Sequence, residues 1–470
     1  MSMDKKVKAI IGAEYRKKKV ANHEYFEFIP GKELLIDFQR KEHALILAKS
    51  GTGKSYLAGV IAEEIQKLFS HDLHCGFLMI DPMGINHGLK SQGKDEDLFR
   101  WNSTMRYKLK TMQCNVEIWV PAGDADKFGS NMLDKQFSLR ANQLTPDIFA
   151  HVFDLSFVSP QVSLYRKARK KIMKENENYS LKEFEDFLYF HFEAWHYRSA
   201  TAEALICKLD ILEELDIISQ DGIQLANMIK AGVITVLDTS MSDDYTAKLI
   251  VNFMAQSILS LRKRMQRFVD HAQIQSKLIC RPDDYIPPIK MLVDEAHKFL
   301  PQNLILKKFI KEGRNYGCNL YAISQSPDLD RNTYANIIHI YIGQMTWSDD
   351  IDRVHKMIPV VRKKSEFRRL IKSLDIGNFV YYNMDSKIEK LNRIRPRLTF
   401  HSADTEIHDE RKFFIEHYEK EADLLDLISE NGISPKEIPK AKKAEFNQLV
   451  KEGKVVIDSS KGTTIIKKSC

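Results

Sequence analysis

Short apolar runs alternate along this chain with longer stretches that carry apolar residues at helical spacing. The runs are 44–47 (ALIL), 76–80 (GFLMI), 116–120 (VEIWV), 232–237 (GVITVL) and 289–293 (IKMLV). They are largely apolar throughout rather than alternating, as a parallel strand covered on both faces requires. Residues 56–69 follow the first run with a helical pattern. Residues 245–268 follow the fourth, with Leu249, Ile250, Phe253, Met254, Ile258 and Leu261 on one stripe. Strands alternating with helices predict an α/β chain built on a mostly parallel sheet.

Residues 24–29 (EYFEFI) alternate instead, which predicts a half-buried strand. Residues 1–40 have room for one hairpin and not for a barrel domain. Strand signals are absent across 146–226. Helical patterns lie at 148–153, 162–174, 181–195 and 201–215, with a start signal at Thr145 and Pro146. A helical insertion between strands of the sheet is expected there. Residues 402–414 are polar and predict a linker. Helices are expected at 415–429, 435–438 (Pro435 at its first position) and 442–451. Apolar strands at 455–457 and 463–466 flank a turn at 458–462. Helices followed by a hairpin over 415–470 are a winged-helix-like pattern. The expected order is a short segment 1–40, an α/β core at 41–145 and 227–401 split by the insertion 146–226, the linker, and the winged-helix-like domain at 415–470.

A chain of 470 residues is too long for one ordinary core. With 43% hydrophobic and 29% charged residues it can bury a sizeable interior, which excludes broad disorder. The net charge of +7 is compatible with nucleic acid without arguing for it. Cys75, Cys114, Cys207, Cys280, Cys318 and Cys470 include no close pair for metal or redox work. Scattered thiols suit a reducing cytoplasm, as small buried apolar residues. No apolar run approaches the ~18 residues of a membrane span, and the start lacks the apolar core of a signal peptide.

The chemistry begins at 48–55, AKSGTGKS, between the first strand and the first helix. It is a phosphate-loop pattern with Ala48 where the strict form has Gly. Gly51 and Gly53 let successive N–H groups of Ser50, Gly51, Thr52 and Gly53 converge on one anion. The following helix adds partial positive charge. Lys54 can reach the β- and γ-phosphates of ATP, and the Ser55 hydroxyl can ligate Mg²⁺. The run 289–293 ends in Asp294-Glu295. Asp294 can hold Mg²⁺, and Glu295 is placed to polarise an attacking water. The strand at 76–80 ends in Asp81, which either faces this site or caps the next turn. Residues 167–174 (KARKKIMK) are basic, as a solvated helix face or a DNA contact. The cations at 262–267 close a helix, which its dipole explains.

Residues 292–297 (LVDEAH), 312–317 (EGRNYG) and 322–327 (AISQSP) together resemble the HerA/FtsK superfamily of RecA-like DNA-pumping ATPases, the HerA branch in particular. The likeness extends to ILAKSGTGKSYLAGVIAEE around the phosphate loop, to IDPMG at 80–84, to ITVLDTS at 234–240, and weakly to 395–401. Ser324 and Ser326 stand where the family pattern has Thr and Arg. The resemblance implies a RecA-like P-loop NTPase sheet. It implies that Lys54 and Ser55 bind phosphate and Mg²⁺, that Asp294 holds the ion, that Glu295 is the catalytic carboxylate, and that Gln325 senses the γ-phosphate. Arg314 would act on the ATP of the next subunit, which requires a ring; the family's rings are homo-hexamers. Its alternative is a surface salt bridge with nearby Glu312. The family usually carries a β-barrel before the core, a domain that would dock a nuclease or other DNA-processing partner; residues 1–40 are too short for one.

The expected function is an ATP-dependent translocase that pumps duplex DNA. A viral or plasmid DNA packaging or conjugation ATPase shares the engine, and an ATP-switched DNA-binding regulator is the alternative from another class. Lys440, Lys442, Lys443, Lys461, Lys467 and Lys468 would lie near the third helix and wing of the C-terminal domain, for DNA contact or for docking to protein.

Overall fold

The computed structural model describes residues 9–20, 23–38, 40–69, 74–129, 132–271, 285–359, 362–401, 455–458 and 465–468. The chain divides into two compact units, Met1–Ser402 and Ala403–Cys470.

The first unit opens with a long antiparallel hairpin, β1 (Ala9–Val20) and β2 (His23–Ile36). Then come β3 (His43–Leu47), α1 (Lys54–Phe69), β4 (Gly76–Asp81), α2 (Asp95–Thr104), β5 (Val116–Pro121) and β6 (Lys135–Phe137). Five helices follow without a strand: α3 (Pro146–Val152), α4 (Pro160–Glu175), α5 (Leu181–His191), α6 (Ser199–Glu214) and α7 (Leu225–Met228). The sheet resumes with β7 (Ile234–Asp238), α8 (Asp244–His271), β8 (Ile289–Val293), α9 (Leu304–Gly313), β9 (Cys318–Ser324), α10 (Arg331–Tyr334) and β10 (Ile337–Ile342). It closes with α11 (Ser348–Met357), α12 (Lys364–Lys372), β11 (Asn378–Asn383) and β12 (Ile388–Ile394).

All these strands join one 12-stranded sheet in the order β2-β1-β12-β11-β10-β3-β9-β8-β4-β7-β5-β6. From β10 to β6 every neighbouring pair is parallel; from β2 to β10 every pair is antiparallel. The mixed α/β sheet bears out the expected fold class. One strand, β9, separates the phosphate-loop strand β3 from the carboxylate strand β8.

The parallel strands are buried on both faces, which accounts for their unbroken apolar character. Successive residues of β3 point to opposite faces. Leu45 and Leu47 pack into a core shared with α8, α9 and the inserted helices, while Ala44 and Ile46 pack with α1. The strand expected at 24–29 is part of a hairpin annexed to the antiparallel edge of the sheet, with Gly12 opposite Ile394. A Cβ at Gly12 would lie 2.2 Å from the Arg393 carbonyl oxygen, so only glycine permits this closeness.

The inserted helices share the core of the sheet rather than forming one of their own. Three of the five starts carry a side-chain cap, the start signal at Thr145 among them. The Thr145 hydroxyl accepts from Ile148 N, and Ser180 and Glu183 form a reciprocal capping box. α5 ends at His191, earlier than the pattern over 181–195 suggests. The remaining aromatics turn inward, with His191 and Trp195 stacked at 5.3 Å.

In the second unit β13 (Val455–Asp458) and β14 (Ile465–Lys468) form the expected antiparallel hairpin. The linker at 402–414, the helices expected over 415–451, and therefore the winged-helix-like domain as a whole, lie outside the described residues. Among the described residues no helix is long and apolar enough to cross a membrane.

Candidate active site

The loop between β3 and α1 is pinned from both neighbouring strands. Ala48 N donates to Ser324 O at 3.2 Å, and Lys49 N donates to Gln344 O at 2.9 Å. Within the loop the Thr52 hydroxyl donates to Lys49 O at 2.7 Å. Gly51 and Gly53 sit at φ +73° and +96°, where side chains are strained. From the far side Gly377 N donates to Thr52 O at 3.1 Å, so the turn before β11 braces the loop. α1 then starts at Lys54 with no acidic residue in its first turn, leaving its positive end uncompensated. The buried Lys54 ammonium donates to Lys49 O at 3.0 Å. Burial lowers its pKa, against the pull of Glu295 and Asp294.

The carboxylates arrive from β8. The Ser55 hydroxyl donates to Asp294 Oδ2 at 3.2 Å, joining positions far apart in sequence. Asp294 Oδ1 accepts from Glu295 N at 2.8 Å. Burial pushes the Asp294 carboxyl up to about 6, with the negative charges of Asp81 and Glu295 adding to the rise. A buried carboxylate beside a hydroxyl is a donor set that fits a hard divalent cation. Glu295 stands in the left-handed region at φ +50°, as do Asp154, His196, Asp216, Gln302 and Lys387 elsewhere. Gln325 Nε2, at the end of β9, donates to Glu295 Oε1 and Oε2 at 3.0 and 2.9 Å.

Thr52, Gly53, Lys54, Ser55, Asp294, Glu295 and Gln325 thus come together at the carboxyl edge of the parallel strands, with Ser50 and Gly51 at the crest of the loop. Arg314 does not join them. It lies in the turn before β9, where its Nε donates to Lys41 O at 3.1 Å at the opposite edge of the sheet. The seven residues of β9 separate it from Gln325, about 20 Å at the rise of a strand. Glu312, the salt-bridge partner that sequence reading offers Arg314, pairs with Lys263 instead.

Asp81 caps its own turn, accepting from Met83 N at 3.2 Å and Asn86 N at 2.8 Å. Ser324 and Ser326 close a tight turn on each other, the Ser324 hydroxyl donating to Ser326 O at 2.6 Å.

Three features escape sequence reading. His297 Nδ1 lies 3.3 Å from Glu295 Oε2, and burial lowers its pKa, so the imidazole is neutral near pH 7. Its place two residues after Glu295 was the available signal. Next to the site, His87 Nε2 and Asp238 Oδ2 are 2.5 Å apart at the end of β7. On α1, Glu63 and Glu64 are buried rather than solvated. Arg395 donates to Glu63 Oε2 at 2.8 Å and to Glu64 Oε1 at 2.7 Å, and Glu63 Oε1 accepts from Leu398 N and Thr399 N at 2.9 Å each. The helix behind the phosphate loop is thereby tied to the segment after β12.

Residues 32–258 match the family model for the central domain of helicase HerA, which bears out the HerA/FtsK resemblance carried by the motifs. A probable helicase of Methanocaldococcus jannaschii is 21% identical over 369 residues, covering 75% of this chain and 62% of that protein. The chain thus spans less than two thirds of that relative. Among solved structures, the plasmid coupling protein TrwB in complex with the GTP analogue GDPNP is 12% identical, with a TM-score of 0.49 over 86% of this chain and 98% of that one. The genome packaging NTPase B204 from Sulfolobus turreted icosahedral virus 2, in complex with ATP-gammaS, is 12% identical, with a TM-score of 0.30 over 75% and 97%. The phosphate loop falls inside the matched segment 32–258, while Asp294, Glu295, Arg314 and Gln325 follow it.

Proposed function

We propose, from the premise that this chain carries a HerA central domain and stands in the HerA/FtsK superfamily, that it is a ring-forming ATPase that pumps duplex DNA. The observation that carries the proposal is the Glu295 carboxylate, held by Gln325 beside Lys54 and the Ser55–Asp294 pair. In this reading the N–H groups of residues 50–55 and the Lys54 ammonium bind the phosphates of ATP. Ser55 Oγ and Asp294 would hold Mg²⁺, which would supply charge neutralisation at the phosphates. Glu295 orients the attacking water and accepts its proton. Gln325 fixes both oxygens of that carboxylate and reports on the γ-phosphate from the strand end.

Arg314 supplies transition-state charge in trans. Its distance of about 20 Å from Gln325 in its own subunit, by strand rise, supports a role at a neighbour's ATP rather than its own. A ring, proposed as a homo-hexamer, closes such a shared site. DNA contacts in its centre are to phosphate, independent of sequence and weakened by salt. Cys75, Cys114, Cys207 and Cys318 are free thiols, which supports a reducing, cytoplasmic setting.

The test is the rate of ATP hydrolysis against added linear duplex DNA, for the parent and for Glu295→Gln. Stimulation by DNA that disappears in the variant and weakens with salt is expected. Hydrolysis indifferent to DNA sinks the translocase. Binding of DNA that depends on ATP without turnover turns the reading to a nucleotide-switched regulator.

A further inference from the structure

Several surface cations of the first unit face carboxylates. Lys90 pairs with Asp134, Lys127 with Asp124, Lys182 with Glu185, Lys230 with Glu117 and Lys307 with Asp330. Helix α4 is different. Its sequence, PQVSLYRKARKKIMKE, has one carboxylate, Glu175, at its very end. Arg166, Lys167, Lys170, Lys171 and Lys174 are exposed. Among the described residues none of the five forms an ion pair. Arg169, between them, is committed to the fold, donating to Asn142 O at 2.6 Å.

The five cations form ladders at helical spacing. Arg166 and Lys170, Lys167 and Lys171, and Lys170 and Lys174 are each four apart, where like charges repel and destabilise a helix. The strip is nonetheless rigidly mounted. Val162, Leu164, Tyr165, Ala168 and Ile172 bury the opposite side of α4 in the main core. Lys167 and Lys171 lie 5.4 and 5.1 Å from the centre of the Trp195 ring, which holds both ammoniums over an aromatic face while leaving their charge uncompensated. A rigid strip of unneutralised cations complements a polyanion with closely spaced charges, and no carboxylate on α4 competes with it before Glu175.

We propose that this exposed side of α4 is a phosphate-tracking contact for duplex DNA. It is a site separate from the nucleotide pocket and distinct from the C-terminal hairpin unit. The proposal rests on the reading of this protein as a DNA motor, and it names the surface that grips the substrate. Each lysine meets a backbone phosphate, displacing condensed counterions, so the contact is independent of base sequence and sensitive to salt.

The experiment measures binding of a fluorescein-labelled linear duplex by the full chain over a salt series. It compares the parent with K167Q/K170Q/K171Q/K174Q, with the same four positions changed to Arg, and with K90Q/K127Q/K182Q/K230Q. The last removes equal charge from cations that face carboxylates. Affinity of the first variant is expected to fall at least about tenfold at low salt, and its slope of log K against log salt to flatten by about 3 to 4, since each phosphate contact contributes ~0.9. The Arg variant keeps parental behaviour, and so does the charge-matched control. DNA-independent hydrolysis by the Gln variant reports its folding. A photo-crosslinker on Lys170→Cys, combined with Cys207→Ser and read against the same chain without Lys170→Cys as background, gives an independent reading, in which labelled duplex is expected to attach above that background. Parental affinity and slope in the Gln variant, or a crosslinker that captures only protein, overturns this contact and leaves the motor reading standing. A parent that binds no duplex in any nucleotide state removes both.

Discussion

Gln325 donates from one amide nitrogen to both carboxylate oxygens of Glu295, at 3.0 and 2.9 Å. The two residues sit at the ends of adjacent parallel strands, β9 and β8. Glu295 stands at φ +50°, and its Oε2 also lies 3.3 Å from His297 Nδ1.

Changing Gln325 to Glu replaces that clamp by a second carboxylate and repels Glu295 from its position. Hydrolysis is expected to fall by about two orders of magnitude, the usual worth of a positioned acid–base group. ATP affinity, which the proposed function assigns to the loop and Lys54, is expected to change by less than about threefold. Single-turnover rates alongside equilibrium nucleotide binding separate the two quantities. An unchanged rate removes Gln325 from the mechanism.

Arg314 and Lys54 belong to different subunits' contributions if the site is shared. Arg314→Ala and Lys54→Ala are each expected to be inactive alone. Mixed and reassembled, they should regain about a quarter of parental hydrolysis, because a random ring pairs an intact Lys54 with an intact neighbouring Arg that often. No recovery on mixing means that Arg314 does not act across a boundary.

Asp294 has its pKa raised from 3.8 to about 6, chiefly by burial. The folded state therefore holds this proton more tightly than the unfolded chain. Ionisation costs nothing below about pH 4, and the penalty grows as pH rises to about 6 and is complete above it. Asn at this position removes the penalty. Its Oδ1 accepts from Glu295 N, and its Nδ2 donates to Ser55 Oγ. Asp294→Asn is expected to stabilise the protein by up to about 3 kcal/mol at pH 8 and by nothing near pH 4, while losing stabilisation by Mg²⁺ and ATP. Denaturant midpoints at both pH values check this. Equal midpoints at pH 8 would refute it.

Arg395 is fully buried between Glu63 and Glu64. Arg395→Met leaves two carboxylates without their main countercharge, and burial then favours their protonation. A loss of about 3 to 5 kcal/mol is expected at neutral pH, shrinking as pH falls toward 5 because the stranded carboxyls then take up protons. A loss within about 1 kcal/mol across that range means that Arg397, 3.5 Å from Glu63 Oε1, and the donors Leu398 N, Thr399 N and Thr399 Oγ1 suffice to hold Glu63.

Local pattern decided much of this protein. The strands from Ala44 to Val293 are legible because burial on both faces leaves no polar position to interrupt them. The loop at 48–55 is legible because phosphate binding needs glycines and a lysine at short, fixed spacing. The inserted helices α3 to α6 announce themselves by apolar residues at helical spacing, the first also by its cap at Thr145. What the sequence left open depends on which strands become neighbours, and strand order is set by contacts across hundreds of residues. Only the tertiary structure puts β9 between β3 and β8 and so brings Gln325 to Glu295. It sends Arg314 to the far edge of the same strand, turns Asp81 into a cap, and annexes the β1–β2 hairpin to β12. Glu63 and Glu64 look like ordinary surface residues of a helix until Arg395 arrives from the end of the sheet. A charge is solvated or buried according to what packs against it, and that is a property of the whole fold rather than of its neighbours in the chain.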